Sequence, residues 1–118
     1  MPAVLLVEDD PQVLSTFAEI LTASGFTVYG ASDAQSALDA LNNIEEPVCV
    51  VLDYAVEGLD PEQFLTRLRI KFPQTKVILS SGYPESLIKK ELDMDQVDKF
   101  LPKPFNPADL ASLITELY

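Results

Sequence analysis

The chain has 118 residues, 47% of them hydrophobic and 23% charged, values of an ordinary globular domain that exclude a disordered or collagen-like chain. Eight Lys and Arg against 19 Asp and Glu leave a net charge of −11, which opposes direct binding to nucleic acid or to an anionic membrane. Histidine is absent, so Ser-His-Asp and Cys-His catalysis, imidazole metal ligation and phosphorylation of a histidine in this chain are all excluded, and any phosphohistidine must come from a partner.

In chain order, the first strand is predicted at Val4–Val7, four consecutive apolar residues of the kind found in a parallel strand covered on both faces. Asp10-Pro11 then offers an N-cap and a proline at the first helical position, ahead of a stripe of Val13, Phe17, Ile20 and Leu21. A second strand, Thr27–Tyr29, precedes a second stripe of Ala34, Ala37, Leu38 and Leu41. The third strand, Val48–Leu52, is again wholly apolar, and its Cys49 reads as packing. Asp60-Pro61 opens a third helix with Phe64, Leu65, Leu68 and Phe72. The fourth strand is Val77–Leu79, and a weaker helical pattern covers Pro84–Leu92. Val97–Leu101 alternates apolar and polar residues, as an edge strand does, and Asn106-Pro107 starts a last helix with Leu110, Leu113, Ile114 and Leu117. This βα alternation predicts a single α/β domain over residues 1–118, a parallel sheet with helices on both faces, and no effector domain after it. The start, MPAVLLVEDDP, lacks a basic region, and no apolar stretch approaches about 18 residues, so neither an export signal nor a membrane span is expected. With one cysteine and no internal disulfide, a cytoplasmic location is expected.

Polar residues gather where such a sheet binds ligands, beyond the carboxyl ends of its strands. The first strand ends in Glu8-Asp9-Asp10, the third in Asp53, the fourth in Ser80-Ser81-Gly82, and the fifth leads to Lys103-Pro104. Clustered carboxylates call for a cation, and hard oxygen donors suit Mg²⁺, with Mn²⁺ as the substitute. Asp53 can act as a nucleophile toward phosphorus, while Ser81 and Lys103 can each meet a phosphoryl oxygen. Asp10 reads as an N-cap rather than a metal ligand.

The motifs VLLVEDDP, VVLDYAVEGLDP, VILSSGYP and KFLPKPF, in this order and at these separations, resemble the receiver domain of two-component response regulators over essentially the whole chain. The resemblance implies a flavodoxin-like (βα)5 doubly wound sheet of strand order 2-1-3-4-5. It implies Asp53 as phosphoacceptor, Glu8 and Asp9 as the acidic pair that holds Mg²⁺ together with Asp53, and Ala55 as the donor of a backbone carbonyl to the metal. Ser81 matches the hydroxyl and Lys103 the lysine that contact the phosphoryl group, and Phe100 matches the switch aromatic. A cis Lys103-Pro104 bond is expected. The implied partners are a histidine kinase or histidine phosphotransfer protein, and a downstream protein that reads the fourth helix, fifth strand and fifth helix. Such a chain is a signalling module that assists its own phosphorylation and dephosphorylation, not a conventional enzyme.

Some positions depart from the family pattern. Val56-Glu57-Gly58 stands where Met-Pro-Gly is common, adding a carboxylate near the metal, and Ser81-Gly82 replaces the commoner Thr-Ala, a variant familiar in receivers attached to hybrid sensor kinases. A dehalogenase-type phosphatase would need a second aspartate at position 55, which is Ala55. A flavin-binding electron carrier would need a phosphate-binding loop where Glu8-Asp9-Asp10 repels phosphate. The remaining alternative is an interaction domain that keeps the receiver fold without phosphorylation.

Overall fold

The computed structural model describes residues Met1–Tyr118. Five strands, β1 (Ala3–Val7), β2 (Thr27–Ala31), β3 (Cys49–Asp53), β4 (Lys76–Ser81) and β5 (Lys99–Pro102), form one sheet in the order β2-β1-β3-β4-β5, and every pairing is parallel. The helices are α1 (Pro11–Ala23), α2 (Ala34–Asn43), α3 (Pro61–Lys71), α4 (Glu85–Ile88) and α5 (Pro107–Leu117). This is the doubly wound architecture expected from the sequence.

Because side chains alternate across a strand, each central strand feeds two apolar layers. Leu5, Val7, Val50, Leu52, Val77 and Leu79 pack with Ala37 and Leu41 of α2 and with Phe64, Leu65 and Leu68 of α3. Val4, Leu6, Cys49, Val51 and Ile78 face the other way, against Leu21 of α1 and Leu110 and Ile114 of α5. All five residues of β3 are buried, which explains its unbroken apolar run. Burial pushes the Cys49 thiol up to about 12, so it stays an uncharged packing group.

The helix starts follow the Asx-Pro signals. Asp10 Oδ1 accepts the Gln12 N–H at 2.9 Å, Asp60 Oδ1 that of Glu62 at 3.0 Å, and Asn106 Oδ1 that of Ala108 at 2.9 Å. Asp33 caps α2 through a reciprocal box with Ser36. At the opposite end of the sheet from these loops, Arg69 clasps α3 to the start of β4. Its Nη1 donates to the carbonyls of Pro73 and Thr75 at 3.1 and 2.7 Å, and its Nη2 to that of Gln96 at 3.3 Å. Thr75 Oγ1 donates to the Pro47 carbonyl at 2.7 Å in the same region.

β2 and β4 run two residues past their predicted ends, to Ala31 and Ser81, and the fourth helix and fifth strand also differ from the sequence pattern. The fourth helix is one turn rather than Pro84–Leu92, because Pro84 has no side chain to cap it; beyond Ile88, turns fold the chain back so that Leu92 still reaches the core. The fifth strand begins at Lys99 and not at Val97. A 3₁₀ turn (Met94–Gln96) precedes it, and the Asp98 carboxylate takes the Val77 N–H at 2.7 Å, in place of a ladder carbonyl.

Core packing outweighs capping in this fold, by the usual magnitudes. Phe64→Ala, which empties a fully buried site, is expected to cost about 4 kcal/mol, against about 1 kcal/mol for the cap variant Asp60→Ala. Urea unfolding of both variants measures this, and equal losses would contradict the packing account.

Candidate functional site

The strand order reverses between β1 and β3, and the carboxyl ends of these two neighbours carry the acids. Glu8 follows the last residue of β1, Asp9 is next, and Asp53 ends β3. Glu8 is 4% exposed and Asp53 5%, whereas Asp9 is open to solvent. Carboxylate oxygens of the three lie within 4.8 Å of one another. Residues far apart in the chain therefore form one acidic cluster.

Lys103, which follows the last residue of β5 and precedes the cis bond to Pro104, supplies the cation. Its Nζ lies 2.8 Å from Glu8 Oε1 and 3.2 Å from Asp53 Oδ2, while its own N–H donates to the Ser81 carbonyl at 2.8 Å. The backbone adds donors: the Ala55 N–H meets Asp53 Oδ1 at 3.2 Å, and the Asp10 N–H meets Glu8 Oε2 at 3.2 Å. One ammonium thus serves the two buried carboxylates. Burial holds the Glu8 carboxyl above its usual value, against the pull of the Lys103 hydrogen bond. Burial also works to lower Lys103, but the hydrogen bond to Glu8 and the charge of Asp53 outweigh it, so the lysine is raised and stays charged.

Not every residue named from the sequence joins this cluster. Ser81 is buried at the end of β4, and its Oγ accepts the Tyr83 N–H at 2.8 Å rather than bonding to the acids. Ala55 is exposed beside Asp53. Phe100 is half-buried in register with Leu79, packed against the α2–α3 layer. Asp10 is occupied as the α1 cap. Glu57 is exposed, in the loop where Gly58 adopts a φ of 80°, a left-handed turn that favours glycine.

Sequence reasoning missed a neighbouring feature. The Tyr54 hydroxyl donates to Glu91 Oε2 at 2.8 Å, and this hydrogen bond holds the phenol above its ordinary value. The position of Tyr54 directly after Asp53 was the only available signal, since no spacing rule links it to Glu91.

The acidic cluster offers only oxygen donors, which fits a small hard divalent cation. No helix is long and apolar enough to cross a membrane.

Comparison with known proteins agrees with this geometry. Residues 4–115 match the family model of the response regulator receiver domain. The sensor kinase CckA of Brucella abortus is 34% identical over 97% of this chain, a stretch that makes up 12% of that protein. The transcriptional regulatory protein CpxR of Escherichia coli is 33% identical over 97% of this chain, which spans 48% of that relative. The chain thus spans half or less of these two curated relatives. Among solved structures, a CheY-like response regulator receiver domain protein from Methanospirillum hungatei superposes with a TM-score of 0.87 at 26% identity, covering 98% of this chain and 92% of the other. Matched along nearly all of its length and in strand order, the chain belongs to the family of response regulator receiver domains.

Proposed function

We propose that the chain takes a phosphoryl group from a partner's phosphohistidine onto Asp53. The observation that carries this reading is the meeting of Glu8, Asp9, Asp53 and Lys103 at the carboxyl ends of β1, β3 and β5. In the transfer, an Asp53 carboxylate oxygen forms the new P–O bond while the P–N bond to the partner's imidazole breaks. The leaving nitrogen keeps the electron pair and is protonated. Lys103 lies where it neutralises charge on the acceptor side, and the Ala55 N–H fixes the carboxylate plane through Oδ1. Ser81 is one strand away, with its hydroxyl proton free to meet a phosphoryl oxygen.

Glu8, Asp9 and Asp53 would hold Mg²⁺, with the Ala55 carbonyl as a further oxygen donor. When bound, the metal supplies positive charge to the non-bridging phosphoryl oxygens. The downstream partner on this reading is a protein that reads α4, β5 and α5, and the donor is a histidine kinase or a histidine phosphotransfer protein. The chain then acts as a signalling module on itself rather than on an external substrate.

Incubation with Mg²⁺ and acetyl phosphate is expected to add one acid-labile phosphoryl group, and Asp53→Asn to abolish it, as followed by intact-protein mass spectrometry. Full labelling of that variant would refute the assignment of the acceptor.

A second expectation concerns metal and pH. Because burial raises Glu8, its ionised form costs stability: that group's contribution is intact below its unfolded value and is lost as pH rises through the folded one. Mg²⁺ is therefore expected to raise the melting temperature most near neutral pH, with the gain shrinking as acid protonates the site. Asp9→Asn should reduce the gain, and excess chelator should block labelling. A gain independent of pH and of Asp9 would contradict metal binding by this cluster.

A further inference from the structure

The face of the sheet away from α1 and α5 carries a groove that the phosphoryl chemistry does not use. α2 and α3 lie side by side there, anchored to the sheet through Ala37 and Leu41 and through Phe64, Leu65 and Leu68. Between the helices are two cavities, of about 230 and 90 Å³, which share Leu38 and Arg67 and so form one channel along them. Leu41 is buried at its floor and Leu38 half-buried, whereas Ile70 stands at its rim, 79% exposed and part of neither apolar layer. The core does not account for Ile70.

The charges of this channel are sorted by helix. Arg67 and Lys71 border it from α3 without an acid partner, since the salt bridges of the chain join Lys89 to Glu85 and Lys103 to Glu8 and Asp53. On the α2 side, Asp39 lies three residues before Asn42 of the rim, hence on a neighbouring position of the helix surface. Its carboxylate accepts a hydrogen bond from Gln35 Nε2 at 2.8 Å and meets no cation. Exposed Glu45 and Glu46 follow the end of α2. Two free cations thus face out in a chain of net charge −11, beside an apolar strip and a row of free acids.

We propose that a second copy of this chain occupies the groove, in a dimer whose two-fold axis runs along the channel. Helices that follow parallel strands onto one face of a sheet run in the same direction, and a two-fold along them sets α2 of each copy over α3 of the other with that direction kept. The heights match under this operation. Leu38 and Arg67 border both cavities, while Asn42, Ile70 and Lys71 border only the larger, so α2 and α3 are level at 38 with 67 and at 42 with 70 and 71. Asp39 then meets the other copy's Arg67, Glu45 and Glu46 approach its Lys71, and Ile70 covers its Leu38 and Leu41. An isologous interface must be self-complementary, and this patch is so in both charge and apolar surface. Three apolar side chains per copy make a small contact, and the association is correspondingly weak. It does not depend on Asp53 being a phosphoacceptor.

Sedimentation velocity of the full chain at low salt, over a concentration series into the hundreds of micromolar, tests the dimer. The wild type is expected to move toward the dimer's sedimentation coefficient as concentration rises, and added salt to reverse the shift. Ile70→Glu, which changes a side chain outside the core, is expected to remain monomeric. Arg67→Asp and Asp39→Arg each bring like charges together twice across the two-fold, and each is expected to weaken association at least about tenfold. Mixed in equal amounts, these two variants regain opposite charges at both positions, and dimer is expected to return. A wild type that is monomeric at every concentration overturns the second copy as occupant and turns attention to a different protein. A dimer that survives Ile70→Glu, or charge variants that mixing does not rescue, overturns this face as its interface.

Discussion

Two carboxylates nearly removed from water, Glu8 and Asp53, share the single ammonium of Lys103 at the ends of adjacent strands. An unpaired buried charge is costly, and removing one partner of such a group costs more than the group contributes. The arrangement is tenable because Lys103 arrives from a third strand and because backbone N–H groups at residues 10 and 55 take up further lone pairs. It is also incomplete in charge, since three acids meet one base. That deficit is the physical reason the site suits a divalent cation.

The sheet holds this deficit in place. β1 and β3 are adjacent and buried on both faces, so the positions of Glu8 and Asp53 are set by two apolar layers rather than by loop conformation. Lys103 hangs from the edge strand β5, whose residues are less buried, and its placement relies on the backbone bond to Ser81. The Asp53 side is buried with the sheet, whereas Lys103 is half-buried and Tyr83 exposed.

Much of this was legible in the sequence, for reasons that differ between features. The apolar runs at Val4–Val7 and Val48–Leu52 and the three Asx-Pro pairs are local signals, and each produced the strand or helix start it promised. The strand order and the grouping of Glu8, Asp9, Asp53 and Lys103 are not local; four motifs read together supplied them. The start of β5 and the length of α4 were misjudged because periodicity does not register the Asp98 side chain on the Val77 N–H or the missing cap at Pro84. Tyr54 with Glu91, 37 residues apart, and Lys103 with Glu8, 95 apart, are pairings that only the folded chain brings together.

The Arg69 clasp sits at the far end of the sheet from all of this. Its guanidinium binds three carbonyls that join α3, the start of β4 and the turn before β5, and none of the acidic site depends on it directly. A lesion there falls on the folded population rather than on the chemistry of each surviving molecule. In a cell, such a change would lower the abundance of the protein and so dim the signal in proportion, while leaving the response of every folded copy intact.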